Sequence, residues 1–197
     1  MNFETLQQQL KENLSEKRFE HTMGVVDLAE AYAEQYKLDV EKAKIAALLH
    51  DCAKELPSDI QKMHIEKHFI DELYADEWEA PQLWHAWAGY VVAEEEYGVW
   101  DLEILNAIKW HTTGDPDMDD LAKLIYLCDA GDEGREPNEI TEIIGDGFFA
   151  NKPINSILLQ VINKHKEVLK EKNQKEVVRT NFLRESLPKI FVTEAKE

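Results

Sequence analysis

The chain has 197 residues, enough for one domain with a substantial buried core. Its 40 Asp and Glu outweigh its 22 Lys and Arg, and the formal net charge of −18 excludes non-specific binding to nucleic acid. With only 8 Gly and 6 Pro and no clear strand-like alternation, the sequence predicts an all-α protein.

The composition also bears on location. Met1 to Thr5 lacks the basic and apolar regions of a signal peptide, and no run approaches the ~20 apolar residues of a membrane helix. Cys52 and Cys128 lie within apolar helical patterns without metal-type spacing, which favours reduced core thiols over a disulfide. We therefore expect a cytoplasmic protein with no membrane partner.

Periodicity and capping signals predict helices along most of the chain. The expected helical segments are residues 3–14, 16–36 after Ser15, a segment between Asp39 and Pro57, one opened by a capping box at Ser58-Asp59-Ile60-Gln61, one begun by Pro81, one capped by Asp101 and ending near His111, and about 119–130, 139–149 and 153–172. Val177 to Leu187 is predicted as a weaker helix or docked arm, and Thr193 to Glu197 as a frayed end.

One stretch carries an unusual combination of side chains. The apolar run from Ala46 to Leu49 ends in His50 and Asp51, with Lys54 one turn further on. Adjacent side chains on a helix point about 100° apart, so the imidazole and the carboxylate cannot share one apolar stripe. They can converge on a metal ion at the helix end, although a histidine on an apolar helix face is by itself more often a core residue.

Six side chains with metal-binding chemistry occupy helical positions flanked by apolar or small residues, on five separate predicted helices. They are His21, His50, Asp51, His85, His111 and Asp129. Imidazole and carboxylate without thiolate suit iron, manganese, zinc and similar ions, and helical bundles build such sites from inward-facing side chains. The pattern predicts a metal site. His165 lacks acidic or histidine neighbours in its stripe and is predicted to be structural.

These motifs resemble those of the HD-domain metal phosphohydrolases, and within them the symmetrical dinucleoside tetraphosphatases of the YqeK type. The motifs are Arg18-Phe19-Glu20-His21-Thr22, Leu48-Leu49-His50-Asp51-Cys52-Ala53-Lys54, His85 with Ala88-Gly89, Ala107-Ile108 before His111-Thr112-Thr113-Gly114, and Asp129 with Arg135. Each is weak alone, but the ordered set is specific. The resemblance implies a single HD-type helical bundle over residues 1–197, with a core of about 15–185 and a frayed tail from about 189.

The resemblance also implies a metal site and a reaction. The implied metal is iron, with one ion favoured over two and another divalent metal left open, and the implied reaction is symmetrical hydrolysis of diadenosine tetraphosphate to two ADP by metal-activated water. The implied metal ligands are His21, His50, Asp51 and Asp129. Whether His85 and His111 bind a second ion or contact phosphate stays open. The leaving phosphate has a last pKa of about 6, so charge stabilisation matters more than its protonation.

The resemblance further assigns roles around the substrate. The implied catalytic residues are Asp51, Lys54, His85 and His111, and the implied substrate contacts are Arg18, Lys54, His85, His111, Thr112, Arg135, Arg179, Thr180 and Asn181. Arg18 and Lys54 are equally compatible with ordinary positions on a helix surface. Arg135 lies in a Gly-flanked loop, which favours a functional role.

One departure from the family pattern follows Asp129. Family members continue with bulky apolar residues and then Glu-Pro-x-Arg, whereas this chain reads Ala130-Gly131-Asp132-Glu133-Gly134-Arg135. The Glu is shortened to Asp132, and two glycines make the loop less constrained. We expect this change to affect the grip on the nucleotide more than metal binding, which leaves other dinucleoside polyphosphates open as substrates.

Three other functions are compatible with the sequence. The first is an HD phosphohydrolase acting on another small nucleotide, such as a deoxynucleoside phosphate or a guanosine alarmone. The second is a nucleotide sensor that keeps the metal pocket without turnover, against which the complete set of six candidate ligands argues. The third is a structural helical protein whose aromatic stripe contributes to a homodimer contact. The family resemblance mildly favours a homodimer.

Overall fold

The computed structural model of the protein describes residues 2–132 and 138–187. Within these ranges the chain forms eleven α-helices and one 3₁₀ helix, and no strand, as the composition predicts. The helices are α1 Phe3–Asn13, α2 Glu16–Tyr36, α3 Val40–Leu49, α4 Ser58–His68, α5 Ala75–Trp78, the 3₁₀ helix Pro81–Leu83, α6 Trp84–Glu95, α7 Leu102–Trp110, α8 Asp120–Gly131, α9 Glu139–Phe149, α10 Ile154–Glu171 and α11 Val178–Ser186.

The described residues also test the expectations about membranes and thiols. None of the described helices combines the length and the apolar character needed to cross a bilayer. Cys52 and Cys128 are buried and unbridged, and burial raises the pKa of both thiols, as expected of reduced core cysteines. The predicted frayed tail, residues 189–197, lies outside the described residues.

Helix starts follow most of the capping residues that the sequence predicts. The side chains of Ser15, Asp39 and Asp101 each accept a hydrogen bond from a backbone N–H in the first turn of α2, α3 and α7. Each bond satisfies a donor that has no partner inside its helix. Local chemistry therefore determines where these helices begin.

The capping box predicted at Ser58 is wrong. Helix α4 begins directly after Pro57, which occupies the N-cap position without a side-chain hydrogen bond. The Gln61 amide donates instead to the carbonyl oxygens of Ala53 and Leu56, at 3.1 and 2.9 Å. Both carbonyls belong to the turn after α3, so the Gln61 side chain bonds to the backbone of this preceding turn and not to the start of its own helix.

Helix α3 is the centre of the bundle. Its residues from Ala43 to Leu49 are largely buried, and α2, α7 and α8 all pack against it. A helix that is apolar on nearly every side is stable only when other helices surround it. Because α3 ends at Leu49 inside this core, the next two residues begin their turn within the protein interior.

The C-terminal helix α11 is held to the bundle by a buried arginine. Arg179 donates two hydrogen bonds to the Glu77 carboxylate, at 2.7 and 3.0 Å, and one to Asp115, at 2.6 Å. Its guanidinium also lies over the rings of Trp87 and Trp110, 5.1 and 4.7 Å from their centroids. The segment predicted as a weak helix or docked arm is therefore a helix that is docked by charge and aromatic contact.

We predict that Arg179→Met strongly destabilises the fold, because it leaves two mostly buried carboxylates without their cation. Removing one partner of a buried ion pair typically costs ~3–5 kcal/mol, and urea denaturation should show a fall of this size in the free energy of unfolding. Lys62→Met is the control, since the Lys62–Glu66 pair is about half exposed and such pairs contribute ~0–1 kcal/mol. Equal losses in the two variants would contradict the docking role.

Candidate metal centre

The six predicted ligand residues lie together in the bundle core. They are His21 on α2, His50 and Asp51 directly after α3, His85 on α6, His111 directly after α7, and Asp129 on α8. Four of them are at most 3% exposed, namely His50, Asp51, His85 and His111. Helix α3 ends at Leu49, and His50 and Asp51 follow it directly. Their side chains lie close together, with His50 Nε2 3.6 Å from Asp51 Oδ2. The ends of α3 and α7 thus place imidazole and carboxylate groups in an apolar interior.

The ligand atoms form two overlapping groups that share His50. In the first group, Asp129 Oδ1 lies 3.2 Å from His21 Nε2 and 3.8 Å from His50 Nε2. In the second, Asp51 Oδ2 lies 3.6 Å from His50 Nε2, and Asp51 Oδ1 lies 3.5 Å from His111 Nε2. Within each group the ligand atoms all lie within 4.8 Å of one another. This spacing is close to that of ligands around one ion at bond lengths of about 2 Å.

Hydrogen bonds determine which ring nitrogens face the centre. His50 Nδ1 donates to the Ala47 carbonyl at 2.6 Å, and His111 Nδ1 donates to the Ile108 carbonyl at 2.7 Å. A carbonyl only accepts, so each proton is on Nδ1 and each Nε2 keeps its lone pair. His50 Nε2 is buried and has no hydrogen-bond partner among the described residues. Such an atom is rare in proteins, and a metal ion would satisfy it.

Asp51 is the central anion of the site. Burial raises the pKa of its carboxyl, but interactions with the imidazole groups of His50, His111 and His85 outweigh burial and hold that pKa well below its usual range. Arg18 Nη1 adds a hydrogen bond of 2.8 Å to Asp51 Oδ2. The carboxylate is therefore ionised at neutral pH and presents its two oxygens to different neighbours.

His50 and His85 remain neutral near pH 7. Burial lowers the pKa of His50, and it lowers the pKa of His85 to about 4. His85 Nε2 lies 3.2 Å from both Asp51 Oδ1 and His111 Nε2. Lys54 Nζ lies 3.0 Å from His85 Nε2, which brings a cation to the edge of the cluster. A neutral imidazole can bind a metal through its unprotonated nitrogen without first losing a proton.

Comparison with known proteins agrees with this geometry, since the HD domain family matches residues 18–134, a range that contains all six predicted ligands. The chain belongs to the HD-domain family. It is 36% identical over 174 residues to "Bis(5'-nucleosyl)-tetraphosphatase, symmetrical" of Bacillus subtilis, covering 88% of this chain and 91% of that protein. It is 37% identical over 137 residues to the protein of the same description from Staphylococcus aureus, covering 68% and 69%.

A solved structure shows the same HD-type fold. It is described as a predicted HD superfamily hydrolase involved in NAD metabolism from Clostridium acetobutylicum. The TM-score is 0.87 at 33% identity, with 95% of this chain and 97% of that chain covered. The all-helical HD-type bundle predicted from the sequence is confirmed, and with it the membership of the metal phosphohydrolase family. As an HD domain, the chain binds a divalent metal.

Asp132 is a residue of this HD-domain site that the sequence analysis did not select. Its Oδ2 accepts a hydrogen bond of 2.7 Å from His21 Nδ1, and only 4% of its side chain is exposed. A carboxylate bound to one ring nitrogen orients the other nitrogen, here Nε2, toward a metal. The signal in the sequence is the departure after Asp129. Because Asp132 contacts His21, the departure from the family pattern affects the metal centre as well as the expected contact with the nucleotide.

Two carboxylates also set the protonation of His21. Burial lowers the pKa of His21, but hydrogen bonds to Asp129 and Asp132 outweigh burial and raise it above its ordinary value. A metal ion at Nε2 therefore competes with a proton. Gly24, nearly one turn after His21 on α2, provides the space for this contact, because a Cβ at position 24 would lie 2.3 Å from Asp132 Oδ1.

The residues predicted to contact substrate separate into two groups. Arg18 and Lys54 lie at the metal centre, and Thr112 follows His111 directly, with its Oγ1 buried. The other group consists of Arg179, Thr180 and Asn181 on α11, whose side chains bond to residues outside the ligand cluster. Arg135 lies outside the described residues, so its predicted role stays a prediction.

The contacts of the α11 residues favour structural roles. Arg179 is bound by the carboxylates described above, and its guanidinium has little surface left for a substrate. Thr180 Oγ1 donates to the Thr113 carbonyl at 2.7 Å, and Asn181 Nδ2 donates to the Val177 carbonyl at 3.3 Å. A substrate contact by any of the three stays a prediction, and the hydrogen bonds described above do not require one.

We predict that Gly24→Ala weakens metal binding while the fold stays stable. The new Cβ displaces the flexible end of Asp132, so His21 loses its orienting partner, a loss that typically lowers metal affinity ~10–100-fold. Titration with Co²⁺ against a competing chelator measures this affinity. Gly145→Ala is the matched control, because a Cβ there meets nothing within 4 Å.

A double variant separates the Asp132 contact from a general effect of the new methyl group. If Gly24→Ala acts through Asp132, the substitution costs no further metal affinity once Asp132→Ala is already present. Fully additive losses in the two single variants would contradict this coupling.

Proposed function

We propose that this HD-domain chain hydrolyses diadenosine tetraphosphate symmetrically to two ADP. The observation that carries the proposal is the buried Nε2 of His50, which has no hydrogen-bond partner within residues 2–132 and 138–187 and lies in a His and Asp cluster with Arg18 and Lys54 at its edge. Relatives at 36% and 37% identity are described as symmetrical bis(5'-nucleosyl)-tetraphosphatases. A metal site flanked by cations suits a polyphosphate substrate.

We propose further that the resident metal is one iron ion held by His21, His50, Asp51 and Asp129. Imidazole nitrogens and carboxylate oxygens suit iron and similar ions, and the choice of iron among them rests on the family resemblance. When bound, the ion supplies Lewis acidity and lowers the pKa of a bound water toward neutrality. The neutral state of His50 and the ionised state of Asp51 are the forms in which these side chains bind a cation.

The chain's own residues then bind and orient the polyphosphate. Arg18 and Lys54 offset, within the site, the repulsion that a net charge of −18 exerts on a polyanion. Lys54, next to His85, stabilises the negative charge that builds up on the phosphoryl oxygens, and His111 and His85 contribute imidazole groups to the same face. The leaving ADP needs little protonation, because the last pKa of its terminal phosphate is about 6.

A cytoplasmic location and a homodimer are part of the same proposal, and both stay predictions. Most of the aromatic stripe lies in the core, but Trp100 is 72% exposed next to Leu102, which is 64% exposed. A patch of this kind is typical of a surface that another subunit covers. Light scattering of the purified protein measures the oligomeric state.

Product analysis tests the reaction. The purified protein, reconstituted with Fe²⁺ without oxygen, should convert diadenosine tetraphosphate to ADP alone, two per substrate, by ion-pair chromatography. His50→Ala should reduce turnover to background, because the shared ligand of both groups is lost. AMP plus ATP would contradict symmetrical cleavage. Turnover of other nucleotides only, or of none, would instead support a different HD phosphohydrolase or a sensor.

Metal analysis tests the ligand assignment. Elemental analysis of the reconstituted protein should give about one iron per chain. His85→Ala should keep this iron and lower kcat/KM, since the proposal assigns His85 to phosphate, whereas His50→Ala should lose the iron. Two ions per chain, or loss of iron in His85→Ala, would contradict the one-ion assignment and favour a second ion at His85 and His111.

A further inference from the structure

The start of α2 and the turn after α3 bond to each other at two points. At the first point, Arg18 Nη1 donates to Asp51 Oδ2 at 2.8 Å, next to the metal centre. At the second, the carboxylate of Glu55 accepts two hydrogen bonds from Ser15, one from its N–H at 2.7 Å and one from its Oγ at 2.6 Å. Because Ser15 is the N-cap of α2, the second contact attaches the beginning of this helix to the turn that carries Asp51.

The turn from Asp51 to Glu55 has a well-bonded backbone. The Lys54 N–H donates to the Asp51 carbonyl at 2.9 Å, which closes the turn. The Gln61 side chain donates to two further carbonyls of the same segment, those of residues 53 and 56. Backbone groups that are bonded in this way hold a segment in one conformation. The position of Glu55 is therefore linked to that of Asp51.

The contact between Glu55 and Ser15 is strong for an exposed one. Both hydrogen bonds are short and reach a carboxylate, and such charge-assisted bonds are roughly twice as strong as neutral ones. They hold the pKa of the Glu55 carboxyl below its usual value, so the group is ionised at neutral pH. The Ser15 hydroxyl donates its proton to Glu55 and accepts from the Arg18 N–H at 3.4 Å. The chain of bonds thus runs from Glu55 into the first turn of α2.

Arg18 is the side chain that this arrangement holds in place. Asp51 accepts a hydrogen bond from its Nη1, and 30% of the Arg18 side chain is exposed. A guanidinium carries several N–H donors in a planar fork that matches the oxygens of a phosphate group. The donors that do not bond to Asp51 can therefore bind phosphate, as long as the start of α2 stays close to the turn.

We infer that Glu55 is a positioning residue for phosphate binding: by bonding to Ser15 it holds the Arg18 guanidinium at the metal centre before a substrate arrives. The inference rests on the proposed function, in which Arg18 binds the polyphosphate. Glu55 is itself exposed and anionic, so it repels phosphate and acts through α2. Its contribution is to reduce the conformational freedom that Arg18 loses on binding.

Removing the Glu55 carboxylate tests the inference. We expect the metal-loaded Glu55→Ala protein to bind ADP about tenfold more weakly by calorimetry, since a small displacement of a binding group is enough for such a loss. The kcat/KM for diadenosine tetraphosphate should fall by a similar factor. Glu55→Gln keeps one acceptor for Ser15, so its losses should be smaller. Glu16→Ala is the control, because it removes the same charge from an exposed residue in the first turn of α2, and it should change neither quantity.

A double variant separates positioning from general stability. Arg18→Gln keeps an amide that can donate to Asp51 but lacks the fork of donors. If Glu55 acts through Arg18, Glu55→Ala should cost no further ADP affinity once Arg18→Gln is present. Equal losses in the two backgrounds would overturn the inference, because Glu55 would then act on the fold as a whole.

Hydrogen exchange provides a measurement that does not depend on activity. If Glu55 holds the start of α2, Glu55→Ala should raise amide exchange at residues 15–19, while exchange in α10 stays the same. Unchanged exchange at residues 15–19 would overturn the inference, and so would ADP binding that Glu55→Ala does not weaken.

The two proposals fail in different ways. If the protein hydrolyses diadenosine tetraphosphate and Glu55→Ala changes neither kcat/KM nor ADP affinity, the proposed function stands and the positioning role is overturned. If the protein does not turn over this substrate but binds ADP with an affinity that Glu55→Ala weakens only when Arg18 is present, the positioning role stands and the proposed function fails.

Discussion

The structure depends on keeping one ionised carboxylate, that of Asp51, inside an apolar bundle. A buried charge without partners costs several kcal/mol, and here the partners come from different helices: Arg18 from α2, His85 from α6 and His111 from the end of α7. Because α3 is apolar and ends at Leu49, the charge lies where these helices converge. The same residue that must be neutralised for the fold to be stable is therefore available to bind a cation.

The distribution of charge explains how a strongly acidic protein can bind a polyanion. Arg18 and Lys54 concentrate positive charge at the cluster, where a metal ion adds more, and most of the remaining surface keeps the protein's negative charge.

Asp132, which belongs to the segment that departs from the family pattern, contributes to the same metal centre. The shortened acid at position 132 reaches His21 because position 24 is a glycine, and a side chain there would occupy the same space. A change that the sequence analysis related to the nucleotide grip thus also contributes to the orientation of a ligand histidine. The length of the acid at position 132 and the size of residue 24 are linked, because together they determine whether the carboxylate can reach His21.

The sequence by itself determined the helices, most of their caps and the six candidate ligands, because capping and periodicity act over a few residues. Only the tertiary structure decided which polar residues meet. His21 and Asp132 are 111 positions apart, and Arg179 and Glu77 are 102 apart. Such contacts depend on how helices pack, so neither the orienting role of Asp132 nor the docking role of Arg179 has a local signature. The capping box predicted at Ser58 failed for a different reason, since the Gln61 side chain bonds to backbone carbonyls only five and eight residues earlier in the chain.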